Sequence, residues 1–88
     1  MYKVKIEDKA VKFLETLDSK IRRQIINKLR TLAENPRPAG CITIKGAKNL
    51  YRIRSGDYRI VYQIHNRELL VFVIRIGHRK NIYDRLMN

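Results

Sequence analysis

Residues 51–64 read YRIRSGDYRIVYQI. Apolar and polar side chains alternate on either side of Ser55-Gly56-Asp57, the period of two strands that each bury one face. Ser55-Gly56 supplies the positive φ that a tight two-residue hairpin loop needs, which pairs Arg54 with Asp57, Ile53 with Tyr58 and Arg52 with Arg59. Two arginines then lie directly opposite one another. Like charges so placed destabilise a sheet by up to ~1 kcal/mol, so either the register differs or the pair is retained for an anion, and the anion is the preferred expectation. The rest of the chain agrees in sign: 20 Lys and Arg against 8 Asp and Glu give a net charge of +12. Such a balance implies attraction to phosphate or to an acidic partner.

Downstream, residues 69–76 form a third strand of this meander, and the turn around Asn66 decides which of its faces joins the arginines. A three-residue loop with Asn66 in the left-handed conformation puts Tyr58, Ile60, Tyr62 and Ile64 on one face with Leu70, Phe72, Ile74 and Ile76. The other face then collects Arg52, Arg54, Arg59 and Arg75 with Val61, Val71 and Val73. A two-residue loop would instead drive Arg75 into the apolar layer, where an unpaired guanidinium is costly.

Upstream, Tyr2 to Ile6 alternates apolar and basic residues and reads as an edge strand. The period then changes. Ala10, Phe13, Leu14 and Leu17 make one helical stripe, with Asp8 as its N-cap. Ile21, Ile25, Leu29, Leu32 and Ala33 make a second stripe, which stops before Pro36. Arg22, Arg23, Lys28 and Arg30 fall on the outer face of that second helix. The prolines and glycine of Asn35-Pro36-Arg37-Pro38-Ala39-Gly40 then force a loop, and a short run at Cys41 to Lys45 precedes the meander. The fold class expected is α+β: an N-terminal strand, a two-helix antiparallel hairpin packed on one sheet face, a mainly antiparallel sheet and a short C-terminal segment or helix. At 88 residues the chain is expected to be one domain over its whole length, 1–88.

Several classes are set aside by composition. Cys41 is the only cysteine, so no internal disulfide can form and a reducing cytoplasm is the expected compartment. The longest apolar run, residues 69–74, is far short of the roughly 20 residues of a membrane span, and no signal h-region opens the chain. His65 and His78 have no Cys or carboxylate at ligand spacing, so no metal is expected.

Residues able to do chemistry gather after the last strand, in Gly77-His78-Arg79-Lys80-Asn81-Ile82-Tyr83. Arg52, Arg54, Arg59 and Arg79 are suited to bidentate phosphate binding. A phosphodiester is cleaved without metal when a base deprotonates the ribose 2′-OH, cations stabilise the phosphorane-like transition state and an acid protonates the leaving 5′ oxygen. Two proton carriers are candidates: Tyr83, whose phenolate would need neighbouring cations, and His78, since imidazole is the side chain suited to proton exchange at physiological pH. His65 and Glu68 lie at the far end of the meander and receive no role.

The order of strand, two helices, LYRIRSGDYRIVYQI and VFVIRIGHRKNIY resembles the RelE branch of the RelE/ParE toxin superfamily. Asn35-Pro36 after the second helix, Ile44-Lys45-Gly46 before the meander, the Tyr58 to Tyr62 core and the Gly77-His78-Arg79 to Tyr83 end carry the likeness over nearly the whole chain. The resemblance implies a toxin of a type II toxin-antitoxin pair, an mRNA interferase that enters the ribosomal A site and cuts mRNA to a 2′,3′-cyclic phosphate without metal or cofactor. By position, Arg59 is the phosphate-binding arginine, Arg79 serves the leaving group and Tyr83 is the base. Arg54 and Arg52 hold the backbone and stabilise the transition state. Apart from the resemblance, Arg75 and Lys80 are expected as further RNA contacts. Well-studied members carry lysine at the positions of Arg52 and Arg54; arginine does not exchange protons near neutrality, so here these positions act by charge alone. Partners implied are the ribosome, mRNA and an acidic, RelB-like antitoxin, with the free toxin monomeric and the inhibited form a hetero-oligomer. The alternatives are a ParE-like gyrase inhibitor on the same fold and a basic RNA-binding module without catalysis.

Overall fold

A computed structural model of the chain describes residues 1–82. In chain order the elements are β1 (Lys3–Ile6), α1 (Asp8–Glu15), α2 (Ser19–Glu34), β2 (Ile42–Thr43), β3 (Leu50–Ser55), β4 (Tyr58–His65) and β5 (Leu70–His78). They build one five-stranded sheet in the order β1-β5-β4-β3-β2. Short turns join β3, β4 and β5 as antiparallel neighbours, whereas β1 lies parallel to β5, with Val4 beside Val71 and Ile6 beside Val73. A parallel pair needs a long crossover, and the helices are part of it.

Both helices pack on one sheet face. Ala10 and Leu14 of α1 and Ile25, Leu29 and Leu32 of α2 meet Ile53, Ile60, Tyr62, Ile64, Val71, Val73 and Ile76 in a single core. At the start of α1 the cap is Glu7, one residue earlier than expected: its carboxylate accepts the Lys9 N–H at 2.9 Å, and Asp8 is already helical. An acidic group in either place satisfies an orphan donor of the first turn. The 35–41 loop is tied to the core by Tyr62, whose hydroxyl donates to the Pro36 carbonyl at 2.7 Å with Cys41 Sγ 3.2 Å away. Tyr51 stacks on the Tyr62 ring at 5.8 Å.

Two registers differ from the sequence reading. The β3–β4 loop is Gly56-Asp57, not Ser55-Gly56, so Ser55 pairs with Tyr58, Arg54 with Arg59 and Arg52 with Val61. Gly56 takes the positive φ, +59°, that opens the turn. The displacement is two residues, which preserves parity and therefore the membership of each face of this hairpin.

The β4–β5 loop holds four residues, Asn66 to Leu69, because His65 pairs with Leu70; Leu69, not Asn66, adopts the left-handed conformation. Val71 and Val73 consequently face the core, and Leu70, Phe72 and Ile74 are only partly buried, the reverse of the expected arrangement. Arg75 is nonetheless kept out of the apolar layer. Tyr62 pairs with Val73 and Val61 with Arg75, so Ile74 is an extra, unpaired residue: a β-bulge that resets the alternation and returns Ile76 to the core.

Candidate functional site

The face of the sheet away from the helices carries two rows of side chains. One row runs Arg54, Arg59, Gly77 across β3, β4 and β5; the next runs Arg52, Val61, Arg75. Arg54 is therefore the residue opposed to Arg59, in place of Arg52. The Arg59 guanidinium is steadied by the turn, donating from one terminal nitrogen to the Gly56 carbonyl at 3.0 Å and to the Tyr58 carbonyl at 3.1 Å. Among the described residues its other donors have no acceptor, which leaves them for an external one. Val61 is fully buried yet stands outside the main core, an apolar floor between Arg52 and Arg75. Arg75 sits at the bulge, where its Nε is buried without a hydrogen-bond partner among the described residues, and it borders a groove lined also by Glu7, Lys9 and Phe13.

The strand β5 continues two residues further than the sequence suggested, through Gly77 and His78. Its end then turns onto the arginine face. The Arg79 N–H donates to the Asp57 carbonyl at 2.8 Å, and Arg79 Nε lies 3.6 Å from Asp57 Oδ1. Asn81 N–H closes a turn onto the His78 carbonyl at 2.9 Å. Ile82 is fully buried, and its Cβ is 3.4 Å from the place a Gly77 Cβ would occupy. Ile82 thus packs over Gly77 with room for no more than a methyl between them at ordinary contact distance.

The structure thus gathers Arg54, Arg59 and Arg79 at one end of the sheet, with Arg52 and Arg75 a row away. Lys80 is exposed beside Arg79, and its N–H donates to His78 Nδ1 at 3.2 Å. His78 itself is not part of the cluster. It pairs with Tyr58, and its ring packs edge-on against the Tyr58 ring at 5.4 Å, which in turn meets Phe13 of α1 at 6.2 Å. That places its imidazole on the helix-covered face. Tyr83 lies outside the described residues. Asp57, Gly77 and Ile82 escaped the sequence reading; the usable signal was a glycine closing an otherwise β-branched and aromatic strand, VFVIRIG.

A helix-backed mixed sheet that opposes arginines on its open face, with residues 79–82 folded beside them, defines a class of small basic proteins suited to gripping a phosphodiester. Residues 4–83 match the family model described as ParE toxin of type II toxin-antitoxin system, parDE. The chain is 35% identical to the mRNA interferase toxin RelE of Escherichia coli K12 over 81 residues, covering 90% of this chain and 84% of that protein. The isolated E. coli RelE toxin superposes with a TM-score of 0.78 at 31% identity, over 99% of this chain and 96% of that one. A RelE-RelB complex from the archaeon Pyrococcus horikoshii superposes with a TM-score of 0.81 at 28% identity, over 91% and 97% of the respective chains. The chain belongs to the RelE/ParE family of type II toxins.

Proposed function

We propose that this protein is the toxin of a type II toxin-antitoxin pair and an mRNA interferase that cuts mRNA in the ribosomal A site without a metal ion. The observation that carries the reading is the Arg54–Arg59 pair with Arg79 held at the same end of the sheet. A base takes the 2′-OH proton, the O2′–P bond forms as the P–O5′ bond breaks, and a proton goes to the 5′ oxygen, leaving a 2′,3′-cyclic phosphate and a 5′-hydroxyl. Arg59 and Arg54 neutralise the charge that grows on the equatorial oxygens, and Arg52, Arg75 and Lys80 hold the flanking backbone. Arg79 serves the leaving oxygen. The base is Tyr83 rather than His78; the support for this choice is that the His78 ring lies against Tyr58 on the opposite face.

The partners are the ribosome with its mRNA and an acidic antitoxin, RelB-like in kind, to which a net charge of +12 is complementary. The compartment is the cytoplasm, with the toxin monomeric when free and a hetero-oligomer when inhibited. Toeprinting of programmed ribosomes tests the reading. Wild-type protein gives discrete A-site cuts; Arg59→Ala lowers the cleavage rate by about 100-fold or more, the scale of losing one transition-state donor; Tyr83→Phe lowers it by about 100-fold or more, the scale of losing a general base; His78→Ala cuts at close to the wild-type rate. Intact mRNA together with inhibition of DNA gyrase would show a binding toxin of the ParE kind instead.

A further inference from the structure

Asp57 reaches Arg79 twice, through its backbone carbonyl at 2.8 Å and its carboxylate at 3.6 Å from Nε. The two side chains are 54% and 66% exposed, so water screens the ion pair and it adds little to stability. The backbone bond fixes where residue 79 lies against the turn, and the carboxylate lies beside the Nε edge of the guanidinium.

The turn does not ask for a carboxylate. Its positive φ falls on Gly56, and Asp57 is not among the positive-φ residues, so a neutral side chain would serve the same backbone. A negative charge two residues from Arg59, on a face that opposes Arg54 to Arg59, also repels the RNA that this face is proposed to hold. A carboxylate that the turn does not need and that works against binding is accounted for if it acts on Arg79.

We propose that Asp57 is a positioning residue that aims the Arg79 guanidinium at the scissile phosphodiester, raising the rate of cleavage at the expense of RNA affinity. The proposal rests on the role given above to Arg79. Its signature is a split: removing the charge tightens binding and slows the chemical step, whereas a residue of merely structural importance would weaken both.

The test is single-turnover cleavage of ribosome-bound mRNA at a series of toxin concentrations, for the wild type, Asp57→Asn, Asp57→Glu, Arg79→Ala and the double variant Asp57→Asn with Arg79→Ala. Asp57→Asn should lower the maximal rate about tenfold, the scale of a misplaced catalytic group, and reduce the half-saturating concentration. Asp57→Glu should restore the rate, and the double variant should be no slower than Arg79→Ala alone. An unchanged maximal rate in Asp57→Asn, a raised half-saturating concentration, or losses that multiply in the double variant would overturn the proposal. If Arg79→Ala itself cleaves at the wild-type rate, the role of Arg79 falls and the proposal with it. If Arg79→Ala is slow and Asp57→Asn is not, the proposal alone falls.

Discussion

Arg54 and Arg59 face each other across β3 and β4, a pairing that costs the sheet up to ~1 kcal/mol in the absence of an anion. The turn carbonyls of Gly56 and Tyr58 draw the Arg59 guanidinium toward the hairpin end, which eases the repulsion and sets the group's direction at once. On the other face the residue under most constraint is Tyr62. Burial, then its hydrogen-bonded neighbour Cys41, push its pKa far above the usual tyrosine value. The unfolded chain releases this proton near pH 10 and the folded one holds it. Stability from this group is therefore complete below about pH 10 and declines as pH rises further, because only the unfolded state ionises. Urea unfolding of the wild type and Tyr62→Phe between about pH 8 and 11 checks this. The variant should lose ~1 kcal/mol at pH 8, where the Pro36 carbonyl loses its donor, and should show a shallower alkaline decline.

Among the elements, β5 does most to shape the site, since its end carries the chain from the core to the arginine face. Gly77 and Ile82 form a lock. Gly77→Ala places a methyl at 3.4 Å from Ile82, an ordinary contact, whereas the branched side chain of Gly77→Val exceeds that room. Hydrogen exchange at the Arg79 amide should stay slow in the alanine variant and accelerate by roughly tenfold or more in the valine variant, as the 79–82 segment opens locally. The hairpin's faces were legible in the sequence because alternation survives a two-residue shift of register. Its partners were not, because Ser55-Gly56 and Gly56-Asp57 both make acceptable loops. The face of β5 was misread for a different reason: in LLVFVIRI every residue but Arg75 is apolar, so the pattern cannot announce which parity is buried or where a bulge interrupts it. Keeping Arg75 off the apolar layer still gave the right sheet face, by a route that the loop length did not reveal, although its Nε is buried there. Asp57 was hidden because a turn aspartate is commonplace, and its contact with Arg79 spans 22 positions of sequence.

For the whole molecule, charge and shape divide the labour: one sheet face is sealed by helices and the other is left cationic. Affinity for single-stranded RNA should therefore fall steeply with salt, with a log-log slope of about −0.7 for each phosphate neutralised. Arg59→Ala should reduce the magnitude of that slope by about one such contact. Fluorescence anisotropy of a labelled oligoribonucleotide across a salt series measures both, and an unchanged slope in Arg59→Ala would remove Arg59 from the phosphate contacts. The bulge at Ile74 has a consequence for chain length. Because that residue has no partner on β4, removing it would leave a regular ladder with Val73 and Ile76 still inward and Arg75 and Gly77 still outward. The strand thus holds one spare residue, so homologous chains one residue shorter at this place can present the same two faces, whereas a one-residue deletion within a regular stretch of the ladder would turn the side chains beyond it to the other face.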